Sequence, residues 1–174
     1  AAVVRIHVPA RQVGERAARF AERLGLPACV VADLKLAGRW HDAGKADPRF
    51  QRLLHGGNAY KSIVEREPLA KSPVMLNTPE RRRAAQEQAG YPPGTRHEVM
   101  SVALMAGVAE SLRESAHDWD LVQHLVASHH GRCRPLAPWT SDEVPVTVEV
   151  HVDGISASAS SEHQLARLDS GIGE

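Results

Sequence analysis

This chain has no excess of charge of either sign. Lys and Arg total 21, Asp and Glu total 21, and the net charge over 174 residues is zero. No global field therefore draws a polyanion to its surface. Cysteine is scarce: Cys29 and Cys133 are the only two, far apart and outside any CxxC spacing. A thiolate zinc site is disfavoured on that ground, and nothing demands an oxidising compartment. No run of about 18 apolar residues occurs and no signal-peptide pattern is visible. No membrane partner is expected, and the default location is cytoplasmic. Internal repeats are also absent, and the length suits one domain, residues 1–174, with a real core.

Histidine is what the chain has in excess, with ten residues. They make most sense around Leu36-Ala-Gly-Arg-Trp-His41-Asp42-Ala-Gly-Lys45. Val30, Val31, Leu34, Ala37 and Gly38 have helical spacing and lead to His41 on their inner face, with Gly44 as a terminator. An imidazole and a carboxylate at the buried end of a helix need partners, and a divalent metal is one. The pair alone also reads as a surface or capping pair, so its company decides. His97, in Thr95-Arg-His-Glu98, begins another apolar stripe with Ser101, Leu104, Val108 and Leu112, behind a capping box from Thr95 to Glu98. Asp118 caps a helix in which Leu121/Leu125 lead to His129 and Val122/Val126 to His130. Both rings are expected to point inward, with Gly131 as the stop. His117 and His124 read as structural or exposed.

The remaining chain reads as mainly α. A first helix is expected from about Pro9 to Leu24, with Val13, Ala17, Phe20, Ala21 and Leu24 inside and Arg11, Arg16, Arg19 and Arg23 outside. Asp47-Pro48 opens a short helix holding Phe50, Leu53 and Leu54. Residues 57–78 suggest a loop with about one helical turn. Thr78-Pro79-Glu80 opens a charged helix to Gly90, whose arginines 81–83 read as a solvated face or, more sharply, as phosphate contacts. Val146, Val148, Val150 and Val152 alternate with polar residues as a strand, and Asp153-Gly154 signals a small hairpin near the C-terminus. Ser156 to Ser161 is low in complexity and is expected to be mobile.

Oxygen and imidazole donors without thiolate suit Mn, Fe, Co, Ni, Zn or Mg. Several histidines with one carboxylate exceed the needs of one tetrahedral ion with an open position. That suggests two ions bridged by Asp42, an arrangement able to act at phosphorus. Lys45 could neutralise charge developing on a phosphate, or serve as a helix C-terminal cation.

These residues resemble the HD superfamily of metal-dependent phosphohydrolases. More narrowly, Trp40-His-Asp-Ala-Gly-Lys-Ala-Asp-Pro-Arg-Phe-Gln51, Arg96-His-Glu98 and Ser128-His-His-Gly131 look like the HD nuclease domain of the CRISPR-associated helicase-nuclease of type I systems. The resemblance covers roughly residues 10 to 170. It implies an HD-domain helical bundle, metal ligation by His41, Asp42, His97, His129 and His130, and catalytic roles for Asp42 and Lys45. It also implies one or two divalent ions (Mn, Ni, Co, Fe or Mg) and cleavage of single-stranded DNA. The implied partners are a superfamily 2 helicase domain, fused or separate, and a CRISPR RNA-guided surveillance complex. Two positions depart from the pattern. Pro9, Ala10 and Arg11 stand where an early His is usual, leaving His7 as the nearby candidate. Asp153 and Asp169 do not lie in the Ala-Asp context of a late ligand, so the chain is expected to be part of a longer protein. A small-nucleotide phosphohydrolase on the same scaffold and a catalytically impaired interaction domain therefore stand as alternatives.

Overall fold

A computed structural model of the chain describes residues 4–5, 8–65, 68–131 and 142–162. The expectations that fall on His7, Cys133 and Asp169 lie outside them. The order is β1 (Val4–Arg5), α1 (Val8–Arg23), α2 (Ala28–Trp40), a 3-10 turn (Ala43–Ala46), α3 (Pro48–Leu54), α4 (Ala59–Val64) and α5 (Pro79–Ala89). There follow α6 (His97–Gly107), α7 (Ala109–Arg113), α8 (Trp119–Ser128), β2 (Thr147–Val152) and β3 (Ile155–Ser160). The fold is mainly helical with a small hairpin near the C-terminus, as the hydrophobic periods indicate.

The core gathers on α6. Every residue from His97 to Met105 is buried, because this helix packs on the 3-10 turn, α8, β2 and β3 rather than on one neighbour. An all-round apolar helix is the form such an environment selects. The single stripe expected to run on to Leu112 is interrupted: the helix ends at Gly107, and Leu112 is buried from the separate α7. Trp40 from α2, Val122 and Val126 from α8, and Val148, Val150 and Val152 from β2 complete the interior.

The inner face of α1 differs from the expected one. Gly14, Ala18 and Ala21 are buried, whereas Phe20 is 62% and Leu24 77% exposed. The reason is the close crossing of α1 over α2. A Cβ on Gly38 would come within 2.8 Å of Gly14 Cα, so only small residues fit between the two backbones,. The large apolar residues are rotated off this contact.

The hairpin forms where the alternation and the turn signal place it. β2 pairs antiparallel with β3 from Thr147↔Ser160 to Val152↔Ile155, through a turn at Asp153 (φ 48°) and Gly154 (φ 90°). Ser156–Ser161, expected to be mobile, is largely this third strand, with Ala157 and Ser161 buried. Its small residues carry little pattern of their own, and the register comes from β2. β1, too short for any sequence period, adds a parallel edge at Val4↔Val150.

Caps behave mostly as read. Asp47, Thr78 and Asp118 accept from the backbone N–H groups of Arg49, Arg81 and Leu121. The expected capping box at Thr95 is not formed: Arg96 is the N-cap of α6 and makes no side-chain cap bond. α8 has an additional cap from across the fold. The fully buried Asp33 of α2 accepts from the N–H groups of His117 at 2.8 Å and Asp118 at 3.0 Å.

Candidate metal centre

The His-Asp pair is placed by the abrupt end of α2. The helix stops at Trp40, earlier than Gly44 suggested, and His41 still donates its N–H to Ala37 O at 2.9 Å. Asp42 leaves the helix at φ −103°, ψ 7°, and the 3-10 turn follows. That turn lies directly on α6. A Cβ at Gly44 would collide with the His97 carbonyl oxygen, so only glycine permits the approach,. Ser101 fastens the seam: its Oγ accepts from Gly44 N at 2.8 Å and lies 2.9 Å from His41 O and 3.0 Å from His97 O. Asp42 is thereby brought beside the first residue of α6.

α8 delivers the doublet from the opposite side. It ends at Ser128, so His129 and His130 follow its last turn. His129 is half-buried, but His130 is exposed overall and stands at the rim, not inward as expected. Its ring centroid is nonetheless 4.3 Å from that of His129 and 5.1 Å from that of His97. His117 and His124 are exposed.

The histidines share one arrangement. His41 Nδ1 lies 2.8 Å from Gly38 O, and His129 Nδ1 lies 2.7 Å from Val126 O. A carbonyl only accepts, so both Nδ1 atoms carry a proton, and in the neutral rings both Nε2 atoms offer a lone pair. His97 Nδ1 is 3.3 Å from Glu98 Oε2. The Nε2 atoms converge on Asp42. Its Oδ1 is 3.3 Å from His97 Nε2 and 3.7 Å from His129 Nε2, while its Oδ2 faces His41 Nε2 at 3.3 Å and Lys45 Nζ at 2.8 Å. The Lys45 ammonium also donates to Ala70 O at 3.0 Å.

Donor atoms of Asp42, His97, His129 and His130 all lie within 4.8 Å of one another. Three of them, Asp42 Oδ1, His97 Nε2 and His129 Nε2, are buried without a hydrogen-bond partner. Orphaned buried polar atoms are costly, and three aimed at one point suit a shared cation. The spacing suits it too, since tetrahedral donors about 2.1 Å from an ion sit roughly 3.4 Å apart. The residues present therefore fit a divalent metal. His41 stands outside this four-residue group, beside the other carboxylate oxygen.

The electrostatics agree with that fit. Burial pushes the Asp42 carboxyl up, but contacts with His129, His41 and His97 outweigh it and hold the group well below the usual carboxylate range. His129 is disfavoured as a cation by burial, yet Asp42 and the Val126 carbonyl raise its pKa. For His130, burial and the neighbouring imidazoles His129 and His97 lower it.

Several neighbours of the site were not legible as such. Glu98, read as part of a capping box, is 2% exposed and faces His97. Phe50 packs its ring 5.1 Å from His97 and 5.3 Å from Tyr91. Gln51 ties the turn to the following loop, donating to Lys45 O at 2.7 Å and accepting from Leu69 N at 2.8 Å. The Gly-Lys-x-x-x-x-Phe-Gln run was the available signal for these last two.

A helical bundle with a His-Asp step, a distant single His and a terminal His doublet converging on one point is the mark of an HD-type metal-dependent hydrolase. Over residues 2–164 the chain matches the family model described as "Cas3, HD domain", and it belongs to that family of CRISPR-associated HD domains. Comparison with curated proteins and with solved structures finds no match to the chain. Among the described residues no helix is long and apolar enough to cross a membrane.

Proposed function

We propose that the chain is an endonuclease that hydrolyses phosphodiester bonds of single-stranded DNA during CRISPR interference, with a superfamily 2 helicase domain supplying the unwound strand. The observation that carries this reading is the convergence of Asp42 Oδ1, His97 Nε2 and His129 Nε2, buried and without hydrogen-bond partners. Asp42, His97, His129 and His130 would hold the ion, and its imidazole-rich donor set suits a transition metal such as Mn, Ni, Co or Fe. When bound, a divalent ion supplies Lewis acidity toward the phosphodiester. The chain's own groups do the rest. Asp42 stays ionised across the working pH range and keeps a negative charge at the centre. Lys45, 2.8 Å from Asp42 Oδ2, offers a cation to charge that develops on a phosphate oxygen,. His41 packs its ring 5.0 Å from His129 and faces Asp42 Oδ2 from Nε2 at 3.3 Å, where it would orient that carboxylate or join it in holding an ion.

A recessed centre with one exposed histidine at its rim favours a flexible substrate. A single strand can bend a phosphate down to it, whereas a rigid duplex must first melt. The test is incubation of the protein, freed of metal and reloaded with Mn or Ni, with circular single-stranded DNA, relaxed duplex, and nucleotides in separate arms. Internal cuts in the circular strand alone are expected, and Asp42→Ala should abolish them while the protein stays folded. Cleavage of nucleotides only, or full activity in Asp42→Ala, overturns the reading.

A further inference from the structure

We propose that Glu98 is a positioning residue: its buried carboxylate accepts the Nδ1–H of His97 and so turns the ring's Nε2 toward Asp42. The inference deepens the metal-centre reading above and rests on it.

Glu98 is 2% exposed, which is unusual for a carboxylate and costly unless a partner faces it,. Among the described residues it faces His97, Oε2 to Nδ1 at 3.3 Å. Adjacent residues on a helix do not ordinarily face each other, so this contact is no by-product of helical spacing. His97 opens α6, so both residues stand in its first turn. The comparison within the site sharpens the point. His41 and His129 each have Nδ1 fixed by a carbonyl three residues earlier, at Gly38 and Val126. His97, at the first position of its helix, has no helical carbonyl three residues before it. Glu98 stands where that carbonyl would act, and it does the same chemical work. A ring whose Nδ1 holds the proton presents a lone pair on Nε2, and that atom lies 3.3 Å from Asp42 Oδ1,. Carboxylates acting on the far nitrogen of a ligating imidazole also raise its basicity.

The competing account is that Glu98 merely places negative charge at the N-terminus of α6. The two differ in what a glutamine does, since it keeps an acceptor for Nδ1–H but loses the charge. Three measurements decide. In the metal-free wild-type protein at alkaline pH, nitrogen-15 spectra of labelled histidine report the His97 tautomer, and the Nδ1–H form is expected. Competition with a chelator then gives Mn or Ni affinity for variants. Glu98→Leu should weaken it by about 10–100-fold, the usual consequence of removing such a partner, with Glu98→Gln recovering most of the loss. Thermal unfolding of the same proteins separates folding from ligation. A predominant Nε2–H tautomer in the wild type overturns the proposal, and this reading needs no variant. So does a folded Glu98→Leu protein with wild-type metal affinity. Failure of the wild-type protein to bind any metal would instead overturn the reading of the centre, leaving the tautomer result to stand or fall alone.

Discussion

At the scale of residues, the centre is built so that protein acceptors hold the imidazoles from behind. His41 and His129 use backbone carbonyls and His97 faces a carboxylate, so each Nε2 is free for Asp42 or a cation. Single Ala variants at His97 and His129 should each lose bound metal by elemental analysis, with His130→Ala the milder because that residue is exposed. Wild-type metal content in all three would count against ligation. A pH dependence follows from His129. Burial opposes its charge, but Asp42 and the Val126 carbonyl raise its folded-state pKa above the unfolded value. The stabilisation is therefore full below the ordinary imidazole value of about 6.5 and is lost as pH rises through the raised one. Metal requires the neutral ring, so binding should begin to weaken on acidification at a higher pH than an unperturbed histidine dictates. Melting temperatures of the metal-free protein and metal affinities across pH check both halves. A metal-free protein whose melting temperature stays flat from pH 6 to 9 (about the span of an imidazole titration) would contradict the first.

At the scale of elements, two seams set the geometry. The 3-10 turn meets α6 through Gly44 and Ser101, and α2 meets the start of α8 through Asp33. Gly44→Ala should cost about 1–3 kcal/mol, the usual range for overpacking, because the new methyl group meets the backbone of α6,. Asp33→Ala leaves two N–H donors at the head of α8 without their carboxylate, a loss of about 1–3 kcal/mol by chemical denaturation,. Metal affinity should fall with it, since α8 carries the histidine doublet. An Asp33→Ala protein of unchanged stability would show that water replaces the cap without cost.

At the scale of the whole molecule, zero net charge leaves substrate affinity to local groups. Several cationic side chains near the site are already engaged. Arg49 is 6% exposed and ion-paired to Asp47 at 2.9 Å and Asp142 at 2.8 Å, so it buttresses α3 rather than meeting a phosphate. Arg39 is engaged by Glu15 and Asp153, which leaves Lys45 as the cation beside Asp42. With two or three phosphates neutralised, log affinity for single strands should fall against log salt with a slope of about −2, from roughly −0.7 per phosphate. Anisotropy of a labelled oligonucleotide across salt measures it. A slope near −5 (roughly seven phosphates by the same rule) would reveal an extended cationic track.

The sequence by itself determined the helical class, most helix starts and the hairpin, because apolar period, caps and turn residues act over a few neighbours. It also carried the ligand candidates, since His41-Asp42, His97 and His129-His130 are local signatures. Tertiary structure alone decided which face of α1 is inside, because Gly14 meeting Gly38 is a contact between distant segments. It decided that Ser156–Ser160 is a strand, because the register belongs to β2. It also gave Asp33 and Glu98 their work, since a buried carboxylate is defined by the donor it meets, and for Asp33 that donor lies more than eighty residues away along the chain.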